Sequence, residues 1–171
     1  AFGFDRTGEM LSLKSAFDFA GHELSFTMAQ YDEHNSAVND LDFTGVPSAA
    51  SATLQDFDNK SLELKLVSDG TQRLNYVAGL YWYDGRFDER VFSRAADLTD
   101  FPATLAPDRV ETENSAAFAS VSYALTDRLN ASAELRYQRE KITNTGGQGA
   151  ARRELGATTN AWLPRVIVDF K

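Results

Sequence analysis

The sequence contains no cysteine, which excludes a disulfide scaffold and any thiolate zinc or iron–sulfur site. It has no unbroken apolar run of about 18 residues, so no transmembrane helix is expected. Helix-period apolar stripes are missing too, which points away from helical architectures. Basic residues are scarce: 17 against 25 acidic ones, for a net charge of −8. A general nucleic-acid binder shows the opposite balance, so that class is set aside. The two histidines, His22 in a tight turn and His34 at the start of a loop, have no partners at metal-ligand spacing. No Ser/His/Asp set has a defensible geometry either. The first residues, AFGFDRTGEM, lack the basic-then-apolar pattern of a leader, so a secreted or outer-membrane protein would be present here as a mature form or an excised piece.

What is present is apolar and aromatic. With 43% hydrophobic and 12% aromatic residues, the chain is not a disordered segment, and 171 residues suffice for one domain or part of a larger one. The period is 2 almost throughout. Leu62, Leu64 and Leu66 alternate with Ser61, Glu63 and Lys65; Leu129, Ala131, Ala133, Leu135 and Tyr137 alternate with Asn130, Ser132, Glu134, Arg136 and Gln138. Such alternation marks strands with one apolar and one polar face. It predicts strands near 10–19, 23–33, 57–68, 72–90, 112–124, 129–142 and 158–171.

The connections alternate in length. Ala20-Gly21-His22, Ser68 to Gln72 and Leu125-Thr126-Asp127-Arg128 are tight and carry turn residues, whereas the segments near 34–56, 91–111 and 143–157 are long. In an up-and-down meander, every short turn then lies at one end and every long loop at the other, as in a transmembrane barrel with short periplasmic turns. About ten alternating residues adjoin each turn; at roughly 3.3 Å per residue and a tilt near 45° they rise about 23 Å, close to the apolar band of such a barrel.

Aromatic residues form two tiers. Phe17, Phe19, Phe26, Tyr76, Tyr123 and Phe170 lie beside the short turns; Tyr31, Tyr81, Trp82, Tyr83, Tyr137 and Trp162 lie about one membrane height away. Parity divides the second tier: Trp82 shares the phase of Ala78 and Leu80, while Tyr81 and Tyr83 share the other. Phe17, Phe19, Trp82, Tyr137 and Trp162 are therefore assigned to a lipid-facing girdle. Tyr81, Tyr83, Arg86, Arg152 and Arg153 are assigned to the lumen or the extracellular vestibule. Asp40-Leu41-Asp42 and Asp56-Phe57-Asp58 offer carboxylates but lack the Gly-centred loop of a calcium site. Gly146-Gly147-Gln148-Gly149 has no following helix to receive a phosphate.

KSLELKLVSDGTQRLNYVAGLYWYDGRFDE (60–89) resembles the signature hairpin of TonB-dependent outer-membrane receptors, and YVAGLYWYD matches its small-aromatic returning strand. TENSAAFASVSYALTDRLNASAELRYQREK resembles the family's next hairpin, and WLPRVIVDF a later aromatic-x-P-R strand; HELSFTMAQYDE and LDFTG fit the strand and loop upstream. The resemblance covers nearly the whole chain in family order. It implies a plug domain and a 22-stranded barrel, of which residues 1–171 would be an internal antiparallel β segment without plug or TonB box. It implies a Gram-negative outer-membrane location and energy-coupled uptake of a nutrient such as an iron chelate or an oligosaccharide. The expected partners are outer-membrane lipid, the plug and other strands of the receptor, the TonB complex acting through the plug, and a small-molecule substrate. No catalytic residue, cofactor or metal ligand is expected, and no nucleic acid. The alternative is a soluble extracellular β-sandwich that binds a glycan or a protein.

Overall fold

The computed structural model describes residues 3–40, 49–70, 72–95 and 106–170. They form seven strands in one sheet, in the order β1 to β7: β1 Gly3–Phe19, β2 His22–Asp40, β3 Ala49–Ser68, β4 Leu74–Ala95, β5 Asp108–Ala124, β6 Leu129–Gly146 and β7 Arg153–Phe170. Each strand pairs antiparallel with the next in sequence, and a 3-10 turn at Gly149–Ala151 precedes β7. The short turns all lie at one end. At the first of them Ala20 and Gly21 take φ of +47° and +78°, the sign pattern of the tight hairpin turn whose twist matches its strands. At the third, the Thr126 hydroxyl accepts hydrogen bonds from the backbone N–H of Arg128 and Leu129 at 3.2 and 3.0 Å.

The strands run well past their expected ends on the long-loop side. β2 continues to Asp40 rather than ending near 33, β3 starts at Ala49 rather than near 57, and β6 continues to Gly146 rather than ending near 142. Much of the expected loops near 34–56, 91–111 and 143–157 is therefore strand. LDFTG, most of the second connection and Lys171 lie outside the described residues. A sandwich, the alternative architecture, needs two facing sheets; the described residues form one.

Register assigns every residue to a face, because directly paired residues share one. Leu64 pairs with Leu80, Leu80 with Ala117, Ala117 with Tyr137 and Tyr137 with Trp162. Phe17, Phe19, Leu24, Phe26, Leu62, Leu66, Trp82, Val166, Val168 and Phe170 follow in the same phase. The opposite face carries Lys14, Asp18, Glu63, Lys65, Glu134, Arg136 and Asp169.

The two faces are not equally open. Along β5 the odd-numbered residues 113–123 are exposed, while the even-numbered ones between them are half-buried or buried. Since the described residues form a single layer, curvature accounts for the difference: side chains spread apart on a convex face and crowd on a concave one. The apolar face is convex. No large side chain among the described residues is fully buried, so the sheet has no protein core for its outward leucines. Among the described residues β1 and β7 are the edge strands, each paired on one side only.

Candidate functional site

The concave face is organised in rows across the strands. At mid-height, Arg165 grips Glu134 with two hydrogen bonds of 2.7 Å. The Arg136 guanidinium lies 5.9 Å from the ring centroid of Tyr81, within cation–π range. Phe118 pairs with Gly79, and its ring occupies the space a side chain at Gly79 would need. Tyr83 arches over Gly85 in the same way, so that its hydroxyl donates to Asn59 Oδ1 at 2.8 Å.

Above these lies a band rich in rings and amides. Glu33 accepts from the Arg6 guanidinium and the Tyr31 hydroxyl, and its second oxygen accepts from Asn35 Nδ2 at 2.8 Å. Gln55 Nε2 donates to Glu89 at 2.8 Å. Between these groups, Phe57 and Phe87 pair across β3 and β4 with ring centroids 4.7 Å apart. Asn35 and Asn114 each keep a buried amide oxygen that accepts no hydrogen bond from the described residues.

The convex face carries the expected girdle residues together. Trp162 packs on Tyr137 with ring centroids 4.7 Å apart, and Phe17 on Phe19 at 5.9 Å. Trp82 lies in the same phase. Tyr31, counted in the upper aromatic tier, belongs to the concave face with Tyr81 and Tyr83. One assignment is corrected. Arg86 shares the phase of Leu80 and Trp82, not that of Tyr81 and Tyr83, because it lies an odd number of steps along the strand from each tyrosine and a strand inverts at every step. Arg152 donates to the carbonyls of Pro107 at 2.8 Å and Gly147 at 3.3 Å, so it ties two connections together. Arg153 opens β7 in the concave phase, opposite Gly146.

Above the apolar band, the convex phase becomes charged. Arg109 and Arg86 both donate to Asp88, His34 meets Asp56 at 2.6 Å, and Lys141 meets Glu113 at 2.9 Å. Asp88 lies beyond Trp82 and outside the apolar stretch. Burial alone would raise its carboxyl, but the hydrogen bonds from Arg109 and Arg86 and their charges hold it below the usual carboxylate range. A carboxyl depressed in the folded state adds stability above its unfolded pKa and loses it as pH falls through the folded value. Asp88→Asn in the full-length protein is expected to cost about 1–3 kcal/mol at pH 7, discounted because the arginines are 48% and 29% exposed. Unfolding measured from neutral pH downwards should show the difference shrinking in acid; a constant difference would mean that the ion cluster is not its cause.

Sequence reading missed Glu33, Asn35, Gln55, Phe57, Phe87 and Glu89 as members of one surface. The signal that would have found them is plain parity, counted onwards from Tyr31, Glu63 and Tyr83 past the point where apolar alternation stops.

A family model described as TonB dependent receptor-like, β-barrel, matches residues 2–171. No curated protein matches in sequence. Among solved structures, the chain is similar to the ferric yersiniabactin uptake receptor FyuA from Yersinia pestis, with a TM-score of 0.67 and 18% identity over 96% of this chain and 25% of that one. It is similar to the ferric citrate transporter FecA, with a TM-score of 0.76 and 12% identity over 98% and 25%. The copper transporter OprC gives 0.68 and 16% over 96% and 28%. The chain thus spans about a quarter of the length of these proteins.

Proposed function

The chain belongs to the TonB-dependent receptor-like β-barrel family, and from that premise we propose that it is a wall segment of an outer-membrane receptor for energy-coupled nutrient uptake. The observation that carries this reading is the division of one curved sheet into an apolar, aromatic-girdled convex face and a polar concave face. Lipid solvates the first at little cost, and the second lines a wet or plugged lumen. The open edges β1 and β7 join the remaining strands of a 22-stranded barrel that holds a plug. The TonB complex draws on that plug from the periplasm, and the segment itself does no covalent chemistry. The nutrient is an iron chelate or an oligosaccharide, bound by the plug and the upper concave wall, where Tyr81, Tyr83 and Arg153 take part; Arg152 shapes the rim.

The test is made on the receptor that carries this segment, expressed in a Gram-negative cell. It should fractionate with the outer membrane, migrate in gels as a heat-modifiable barrel, and lose uptake when TonB is deleted. Recovery of the native protein in the soluble periplasm would sink the reading.

A further inference from the structure

The concave wall above the girdle carries information about what it holds. Its aromatic rings are Tyr31, Tyr83, Phe57 and Phe87, on three adjacent strands and half-buried rather than covered. The Phe57–Phe87 pair is tilted by 33° and forms an apolar shelf. Hydrogen-bonding groups flank it on both sides along the strands. Tyr31, Asn59 and Gly85 make the row below it, and Asn35, Gln55 and Glu89 lie one row above Glu33, Phe57 and Phe87.

These polar groups are planar amides and carboxylates, already oriented by bonds to one another: Gln55 to Glu89, Asn35 to Glu33, and the Tyr83 hydroxyl to Asn59. Pre-set groups of this kind avoid ordering costs when a ligand arrives. Cations are few. Among the described residues of this band, the Arg6 guanidinium is engaged by Glu33 and by the Tyr31 hydroxyl at 3.2 Å. Arg153 is four strands from β3, about 19 Å away at the spacing of a sheet.

An anionic chelate placed here would meet Glu33 and Glu89 with no unpaired guanidinium beside the rings to answer its charge. A sugar meets what it needs. The C–H face of a pyranose packs on a ring, and hydroxyls at its edge both donate to carboxylates and exchange hydrogen bonds with amides. We propose that the concave wall just above the girdle is a subsite for a neutral, hydroxyl-rich solute of the saccharide class, seated on the Phe57–Phe87 shelf. The inference rests on the uptake reading and selects between its two nutrient classes.

The experiment uses the full receptor, purified in detergent. Equilibrium binding is measured against neutral hexasaccharides (malto-, cello-, xylo- and chito-oligosaccharides) and against ferric citrate as the anionic probe. At least one neutral oligosaccharide should bind. Phe87→Ala, and separately Phe87→Leu in case the first variant folds poorly, should weaken that binding by about tenfold or more, as expected for loss of a ring face in contact. Lys141→Gln, whose ammonium meets Glu113 on the opposite, convex face, should change it by less than about twofold. Three results overturn the inference: no oligosaccharide binds; binding is unchanged in folded Phe87 variants; or ferric citrate binds instead and loses affinity in Arg6→Gln. Outer-membrane location and TonB dependence are scored on the same receptor in cells, so a failure of saccharide binding with both intact rejects this inference and leaves the uptake reading standing.

Discussion

Leu64→Arg in the full receptor is expected to destabilise the barrel by roughly 2–4 kcal/mol, the cost of a cationic side chain near the bilayer midplane. Leu64 is the middle one of Leu62, Leu64 and Leu66 on the convex face, between Phe26 of β2 and Leu80 of β4. None of these neighbours offers a counter-charge, and lipid offers no water. Glu63→Gln, one residue away, should cost less than about 0.5 kcal/mol. Glu63 lies on the concave face, where its contact with Lys65 at 3.9 Å is more than a third exposed on both sides, and such pairs contribute little. Equilibrium unfolding of the two variants in lipid or detergent decides the matter. Should Glu63→Gln prove the more damaging, the two faces have been assigned the wrong way round.

Gly79→Val is the second large effect, expected at about 1–3 kcal/mol or above. A Cβ at Gly79 would come 2.8 Å from Phe118 Cε1 and 2.9 Å from the backbone oxygen of Leu64. The ring can swing away, but the carbonyl belongs to the β3–β4 ladder and cannot. The double variant Gly79→Val with Phe118→Ala should therefore recover part of the loss and no more. Gly8→Ala is the control: its Cβ meets only Tyr31 Oη at 3.4 Å and atoms beyond that, so its effect should stay within about 0.5 kcal/mol. Full recovery in the double variant would show that ring crowding alone sets the need for glycine. Equal losses at Gly8 and Gly79 would show that crowding over Gly79 is not what sets it.

Both predictions rest on parity, which the sequence displays only as far as the apolar band reaches. From Leu62 to Leu66 and from Leu129 to Tyr137, every second residue is apolar, because one face of the sheet is apolar and the other polar. Further along the same strands, both faces are wet. Asp56, Asp58 and Lys60 on one side of β3 then alternate with Gln55, Phe57 and Asn59 on the other. Hydrophobic contrast fades from there towards the chain's long connections, so residues 34–56 read as loop although β2 runs to Asp40 and β3 starts at Ala49. The strand ends were lost for this reason. Phe57 and Phe87 lay inside the expected strands 57–68 and 72–90, but nothing in the pattern paired them, and Arg86 was assigned to the wrong face because parity was not carried past Tyr83.

The sequence by itself determined the all-β meander, its seven strands, the short turns and the shared apolar phase of Phe17, Phe19, Trp82, Tyr137 and Trp162, because each follows from local alternation and turn chemistry. Only the tertiary structure decided how far the strands rise above the apolar band, that Arg86 faces outward, and that rings and amides from β2, β3 and β4 share one wall. Those depend on register between strands far apart in the chain, which backbone hydrogen bonds fix and which a pattern of polar residues leaves unspecified.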